Sequence, residues 1–365
     1  MSTVRANNIL DAAGGNTATI NGMTPTGLSL QGFRNRIING SMVIDQRRDG
    51  ASLTVPQFGG YTLDRWNTNA TQGSRFSVQR NAGSVAPPAG FTNYLGVTSL
   101  SAYSVLASDF FSVLQSVEGF NVADLGWGAA GAQSVTLSFW VRSSLTGTFG
   151  GSLNNSNFTR AYPFSYTISA ANTWEQKTIT VPGDTTGTWL TNNSTGVHVY
   201  FNLGAGSSFS GTSGAWAASG ALAPTGAVSV VGTNGATFYI TGVQLEAGTV
   251  VTPFERVDYG TSLMRCERYG QPFGGAGAAA SASTIDIVAL FRTPMRAAPT
   301  ISVLAGTNGC VSLNRPTSNV TSINSVWNSG NSNTAGLRLN SSDTGMTTGA
   351  TAWIYGGVLF ASAEL

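Results

Sequence analysis

The run Val135-Thr136-Leu137-Ser138-Phe139-Trp140-Val141-Arg142 decides the fold. Val135, Leu137, Phe139 and Val141 fall on one side and Thr136, Ser138, Trp140 and Arg142 on the other, the period-two pattern of a strand with one buried face. The pattern recurs along the chain. Between Glu175 and Val181, Lys177, Ile179 and Val181 oppose Thr178 and Thr180, and Pro182-Gly183-Asp184 stops the run. Val197, Val199, Phe201 and Leu203 alternate with His198, Tyr200 and Asn202. Phe238, Ile240, Val243 and Leu245 form a further strand, in which Thr241-Gly242 is predicted to bulge and restore the register. Short strands between Gly-rich turns, with no long helix, mean an antiparallel sandwich of the jelly-roll kind rather than βαβ units.

The pattern predicts an all-β chain in four parts. Residues 1–32 hold little that could build a core and read as an extended N-terminal arm. Residues 33–262 form the jelly-roll β-sandwich, in which Ala107 to Val117 is predicted as a helical turn capped by Ser108 and followed by a strand. Residues 263–283 are a helix and linker: Tyr259, Leu263 and Met264 mark a short helix ending near Gly270, and Gly274 to Ser283, reading GGAGAAASAS, is a connector. Residues 284–365 make a small C-terminal β domain, where Ile285, Ile287, Ala289 and Phe291 alternate. Trp353-Ile354-Tyr355 and Val358-Leu359-Phe360 are apolar on both faces, so this small domain needs another surface to cover it. The expectation is a homo-oligomer, a trimer joined through the C-terminal domain.

Composition narrows the function. Only 9% of the 365 residues are charged, against about 25% in an average soluble protein. With 41% hydrophobic residues and a formal charge of +2, the chain can fold throughout, and it lacks the basic face that nucleic acid or an anionic membrane would require. No stretch approaches the about 18 apolar residues of a spanning helix, and Met1 to Ala13 carries no signal-peptide pattern, so no membrane insertion and synthesis in a cytoplasm are expected. Cys266 and Cys310 make neither a disulfide framework nor a metal-ligand spacing and read as buried free thiols.

Catalytic signatures are sparse. His198 is the one histidine and Lys177 the one lysine; the alternation turns His198 away from the core, toward solvent. Gly126-Trp127-Gly128-Ala129-Ala130-Gly131 satisfies G-x-G-x-x-G but precedes a strand, so it reads as a turn. Two carboxylates suffice for glycoside hydrolysis, which keeps a polysaccharide depolymerase as an alternative, although Asp184, Asp124 and Asp49 all sit in turn sequences. The expectation is a non-enzymatic chain. Sugar recognition needs aromatic faces among hydroxyls and amides, and Trp189, Tyr200 and Trp216 lie in or beside neutral polar loops, with Trp327 the distal candidate.

Several blocks carry a family likeness: Asn35-Arg36-Ile37-Ile38-Asn39-Gly40-Ser41-Met42 running into Ile44-Asp45-Gln46-Arg47, then Tyr61 to Trp66, Gly126-Trp127, Thr136 to Arg142, Thr173 to Asp184, and Val243 to Gly248 with Thr252-Pro253-Phe254-Glu255. Together with Cys266-Glu267-Arg268-Tyr269 and Ala298-Pro299-Thr300, they resemble tail-fibre and related virion proteins of tailed bacteriophages, common among phages of marine bacteria and cyanobacteria. The resemblance covers about residues 17–300 and thins beyond Thr300. It implies a jelly roll similar to carbohydrate-binding modules and a virion location. Taken with the aromatic residues in neutral polar loops, the expectation is a tail-fibre subunit that attaches to other virion proteins through residues 1–32 and binds a host cell-surface glycan. The alternative is a capsid or tail decoration or assembly part without a host ligand. Sandwich modules of this kind often hold a structural calcium ion, for which the resemblance offers Asp45, Asp64 and Glu246; no other cofactor is expected.

Overall fold

The computed structural model describes residues 33–304, 310–312, 315–318, 320–327, 333–342 and 344–365. The predicted arm, 1–32, lies outside them. The first unit is a sandwich built from β1 (Leu53–Thr54), β2 (Gly60–Tyr61), β3 (Asn67–Ala70), β4 (Phe76–Arg80), β5 (Leu95–Ser99), β6 (Phe110–Glu118), β7 (Val135–Ser143), β8 (Gly147–Asn154), β9 (Ala161–Ile168), β10 (Glu175–Val181), β11 (Thr195–Ala205), the short pair β12 (Ser210–Gly211) and β13 (Ala223–Pro224), and β14 (Thr237–Ala247). One six-stranded sheet runs β1-β4-β5-β14-β7-β10 and the other β2-β3-β6-β11-β8-β9; both are antiparallel throughout. The described residues are all-β apart from one α-helix and a few single turns.

The alternating runs face each other across the core. Val135, Leu137, Phe139 and Val141 of β7 meet Val197, Val199, Phe201 and Leu203 of β11, all fully buried. The predicted bulge is real: the β14–β7 register shifts between Thr241 and Gln244, and Gly242 sits at φ 61°. The helical turn before β6 shrinks to a plain turn at residues 107–108, and the strand takes the rest.

Beyond the sandwich, α1 (Tyr259–Glu267) is capped by the Asp258 carboxylate, which accepts from Thr261 N at 3.0 Å. Then come β15 (Gly270–Ala279), β16 (Thr284–Leu290), β17 (Thr300–Val303), β18 (Cys310–Ser312), β19 (Arg315–Ser318), β20 (Val320–Trp327), β21 (Thr334–Ser341) and β22 (Thr351–Ser362), in one eight-stranded sheet. The connector expected over Gly274 to Ser283 is corrected here: most of it belongs to β15, which lies between β16 and β22. Its small residues permit this because the neighbouring backbone comes too close for side chains. A Cβ on Gly277 would stand 1.8 Å from the Asp286 carbonyl oxygen.

The twofold apolar character of β22 also has a cause inside the chain. Ile354 and Leu359 enter the C-terminal core, while Phe360 turns to the sandwich, with the Arg47 guanidinium 4.2 Å above its ring. Part of the surface expected to await another subunit is therefore covered by the first domain. Cys266 is a buried free thiol, pushed well above the usual thiol range chiefly by burial. The side chain of Cys310 lies outside the described residues.

Candidate functional site

At the sandwich end where β7 and β11 begin and β10 finishes, three loops bring Trp127, Trp189 and Trp216 together. The rings meet edge to face, with centroids 4.7 Å apart for Trp127–Trp189 and 5.4 Å for each of the other two pairs. Tyr162 closes against Trp216 at 5.3 Å. Edge-to-face contact sets the positive rim of one ring against the negative face of the next, which holds the rings in place. Each indole N–H is spent on a backbone carbonyl: Trp127 on Gln133 at 2.7 Å, Trp189 on Thr186 at 3.1 Å and Trp216 on Pro182 at 2.7 Å. All three rings are half-buried, resting on the sandwich core.

The loops are tied from below. Arg160 grips Asp184 with two hydrogen bonds of 2.7 Å, and the Asp184 carbonyl accepts Gly128 N at 2.7 Å, joining two of the three tryptophan loops. Burial works against the ionised Asp184, but the Arg160 hydrogen bonds and Thr186 N outweigh it and hold its carboxyl below the usual range. The predicted turn is confirmed, with Gly126 and Gly128 at φ 61° and 91°. A Cβ on Gly128 would lie 2.8 Å from the Gly187 carbonyl oxygen, so only glycine lets these loops touch. Around the rings, Thr186, Thr188, Thr191 and Asn192 are exposed.

The structure thus joins two predicted residues, Trp189 and Trp216, and adds Trp127 and Tyr162. Trp127 stood in the sequence between two turn glycines, a position that shows a ring outside the strands but not what it meets. Tyr200 is corrected: it is only 2% exposed, packed between Leu114 and Leu222, because the segment through β13 folds over the outer face of β11. Trp327 ends β20, and its side chain lies outside the described residues.

His198 is corrected too. It does point away from the core, but Phe158 stacks on it at 5.0 Å, and its Nδ1 lies 2.8 Å from Ser116 Oγ. Burial pushes its pKa down to about 4. Phe158 reaches this place from a left-handed backbone, φ 56°, in a turn where the Asn155 side chain accepts Thr159 N and Arg160 N.

The calcium ligands offered by the resemblance do not fit an ion. The Asp45 carboxylate accepts Arg48 N and Gly50 N at 3.2 and 2.7 Å. Asp64 accepts the backbone and side-chain nitrogens of Gln46 at 2.6 and 2.8 Å, and burial pushes its pKa up to about 6. Glu246 accepts Thr252 N and Thr252 Oγ1 at 2.9 and 2.6 Å. Asp45 and Asp64 both hold the 45–50 segment and Glu246 holds Thr252, so all three are occupied by protein donors, and among the described residues no three metal-ligating side chains gather. Gln244 and Glu246, which flank Leu245, are both buried, because residues 252–255 fold over them.

No family model matches the chain, and no curated protein is similar to it in sequence. Solved structures are similar in fold at low identity. The enzymatically active domain of bacteriophage CBA120 tailspike protein 4 is 12% identical with a TM-score of 0.32, over 59% of this chain and 22% of that one. This chain therefore spans about a fifth of the tailspike domain's length. A carbohydrate-binding module in complex with β-1,4-galactotriose is 12% identical with a TM-score of 0.29, over 59% of this chain and 99% of that one. A putative sugar binding protein from Bacteroides thetaiotaomicron is 10% identical with a TM-score of 0.34, over 59% of this chain and all of the other. At these scores the likeness carries no functional argument; the chain is an antiparallel β-sandwich followed by a second β domain, with a clustered aromatic surface at one end of the sandwich.

Proposed function

We propose that this chain is a non-enzymatic tail-fibre subunit of a phage particle, which binds a host surface glycan through the rings of Trp127, Trp189 and Trp216. The observation that carries the binding reading is the tryptophan cluster. Three half-buried rings are locked by their indole hydrogen bonds and edge contacts, so a sugar would meet an already ordered surface and little side-chain entropy would be lost on binding. Hydroxyls at the rim supply the directional partners that a pyranose needs. The particle location rests on the sequence blocks that resemble phage virion proteins, with residues 1–32 as the attachment arm and the C-terminal sheet as the oligomer contact. On the outer face of β16, Val288 and Leu290 are 65% and 74% exposed, which suits a trimer interface. Symmetric copies would convert weak single contacts into avidity.

Fluorescently labelled protein should stain host cells, and a host-glycan array should lose at least about tenfold in signal with Trp189→Ala or Trp216→Ala in folded variants. Unchanged array binding in both variants would reject the cluster as the site. Unstained cells together with a blank array would favour the decoration or assembly role, and new reducing ends on host polysaccharide would favour the depolymerase. Native mass spectrometry of the full chain tests the trimer, and electron cryomicroscopy of intact particles tests the location.

A further inference from the structure

In so weakly charged a chain, arginines mostly end on carboxylates: Arg36 on Asp124, Arg160 on Asp184, Arg268 on Glu118, Arg338 on Asp286. Arg256 and Arg265 end on none among the described residues, and they line the same cleft. It has a volume of about 250 Å³ and lies between the Asn35–Val43 segment, the loop at Gly90–Thr92 and the first turns of α1. Both guanidinium groups are held in place, and neither makes a direct ion pair among the described residues, although the Glu255 carboxylate attracts Arg265. Arg256 lies over the rings of Phe91 and Phe254 at 4.9 and 5.8 Å, and those two rings meet edge to face at 5.1 Å. Gly90 leaves it room, since a Cβ there would stand 2.9 Å from Arg256 Nη2. Arg265 donates to the Asn35 carbonyl at 3.3 Å and lies over Phe33 at 5.0 Å.

The one carboxylate of the lining, Glu255, is committed elsewhere: its two oxygens accept the backbone N–H groups of Arg34 and Asn35, each at 3.0 Å. The nearby Asp258 carboxylate caps α1. Burial lowers the pKa of Arg265 against the opposing attraction of Glu255. The wall also carries the Tyr259 ring, 62% exposed, the hydroxyls of Ser41 and Ser262, and the apolar side chains of Ile37, Val43 and Val257.

We propose that this cleft is a second binding site, separate from the tryptophan cluster, and that it takes a carboxylate-bearing pyranose, a uronate residue of an acidic polysaccharide. The Arg256 guanidinium receives the carboxylate, Arg265 adds positive charge at the cleft's wall, Tyr259 offers ring surface to the sugar's C–H face, and the serines meet its hydroxyls. The volume admits one ring or two.

Isothermal titration of the full chain with digalacturonate, with lactose as a neutral disaccharide, and with inorganic phosphate tests this. Digalacturonate should bind with an affinity that falls as salt rises, lactose should not compete with it, and Arg256→Ala and Tyr259→Ala should each weaken it at least about tenfold while melting like the parent. No digalacturonate binding at millimolar concentration would overturn the proposal, and so would equal binding by folded Arg256→Ala. Phosphate competing as strongly as digalacturonate would also overturn it, since the cleft would then read charge without sugar. Trp189→Ala and Trp216→Ala should leave digalacturonate binding intact; if both abolish it, the sugar is held by the tryptophan cluster and this cleft is not its site.

Discussion

His198 shows how one residue can be half-read from sequence. Alternation gives the side of the strand correctly, but Phe158, forty residues earlier, covers that side. The consequence is a pH effect with a definite sign. Unfolded imidazole takes its proton near 6.5, while the folded one resists until about 4, so the unfolded state binds more protons in that window. The His198 contribution to stability should therefore fall as pH drops from 6.5 to 4, while Asp64, whose folded pKa is raised to about 6, contributes with the opposite sign over the same window in parent and variant alike. At about 1.4 kcal/mol per pKa unit the upper bound is about 3 kcal/mol, and a half-buried ring realises part of it. Urea midpoints measured across this range should fall less in His198→Gln than in the parent; parallel curves would refute the assignment.

At the scale of elements, β15 is the instructive case. Gly and Ala carry no apolar periodicity, so GGAGAAASAS looks like a tether, yet the same lack of side chains allows β16 and β22 to pack against it on both edges. Small residues here are a packing requirement rather than a source of freedom. Gly277→Val should destabilise the C-terminal domain by more than about 2 kcal/mol, because the added Cβ meets the fixed Asp286 backbone. Differential hydrogen exchange should show the loss in β15, β16 and β22 before the sandwich; an unchanged melting profile would contradict the close approach. The tryptophan loops obey the same rule. Their turn glycines were legible, whereas the Asp184–Arg160 tie beneath them was not, since it depends on two loops meeting in space.

On the scale of the whole molecule, the two domains are joined by charges that the chain otherwise lacks. Glu364 receives both Arg47 and Arg65, and Arg65, 1% exposed, also lies 3.6 Å from the centre of the Tyr269 ring. Nearby, Arg268 and Tyr269 both bond to Glu118 at the end of β6, and Arg296 donates to the Asn193 carbonyl. A buried cation that loses its partner costs about 3 to 5 kcal/mol. Glu364→Ala should therefore lower the denaturation midpoint of the full chain by that order and separate the unfolding of the two domains; a single transition at the parent's midpoint would show that the junction depends on other contacts. The scarcity of charge noted in the sequence thus has a counterpart in space, with much of the charge placed at joints.

What the sequence determined by itself was the class of fold: strands, their buried faces, the bulge at Thr241-Gly242 and the turn glycines, all of which follow from the period of side chains along a strand and from backbone sterics within a few residues. What only the tertiary structure decided was every meeting between distant parts. Arg65 stands beside Asp64 in sequence but pairs with Glu364, 299 residues away. Trp127, Trp189 and Trp216 converge from three loops, whereas Asp45, Asp64 and Glu246 do not gather into one site. Those outcomes depend on how sheets and loops stack, and a charge or a ring takes whichever partner that stacking brings within a few ångströms.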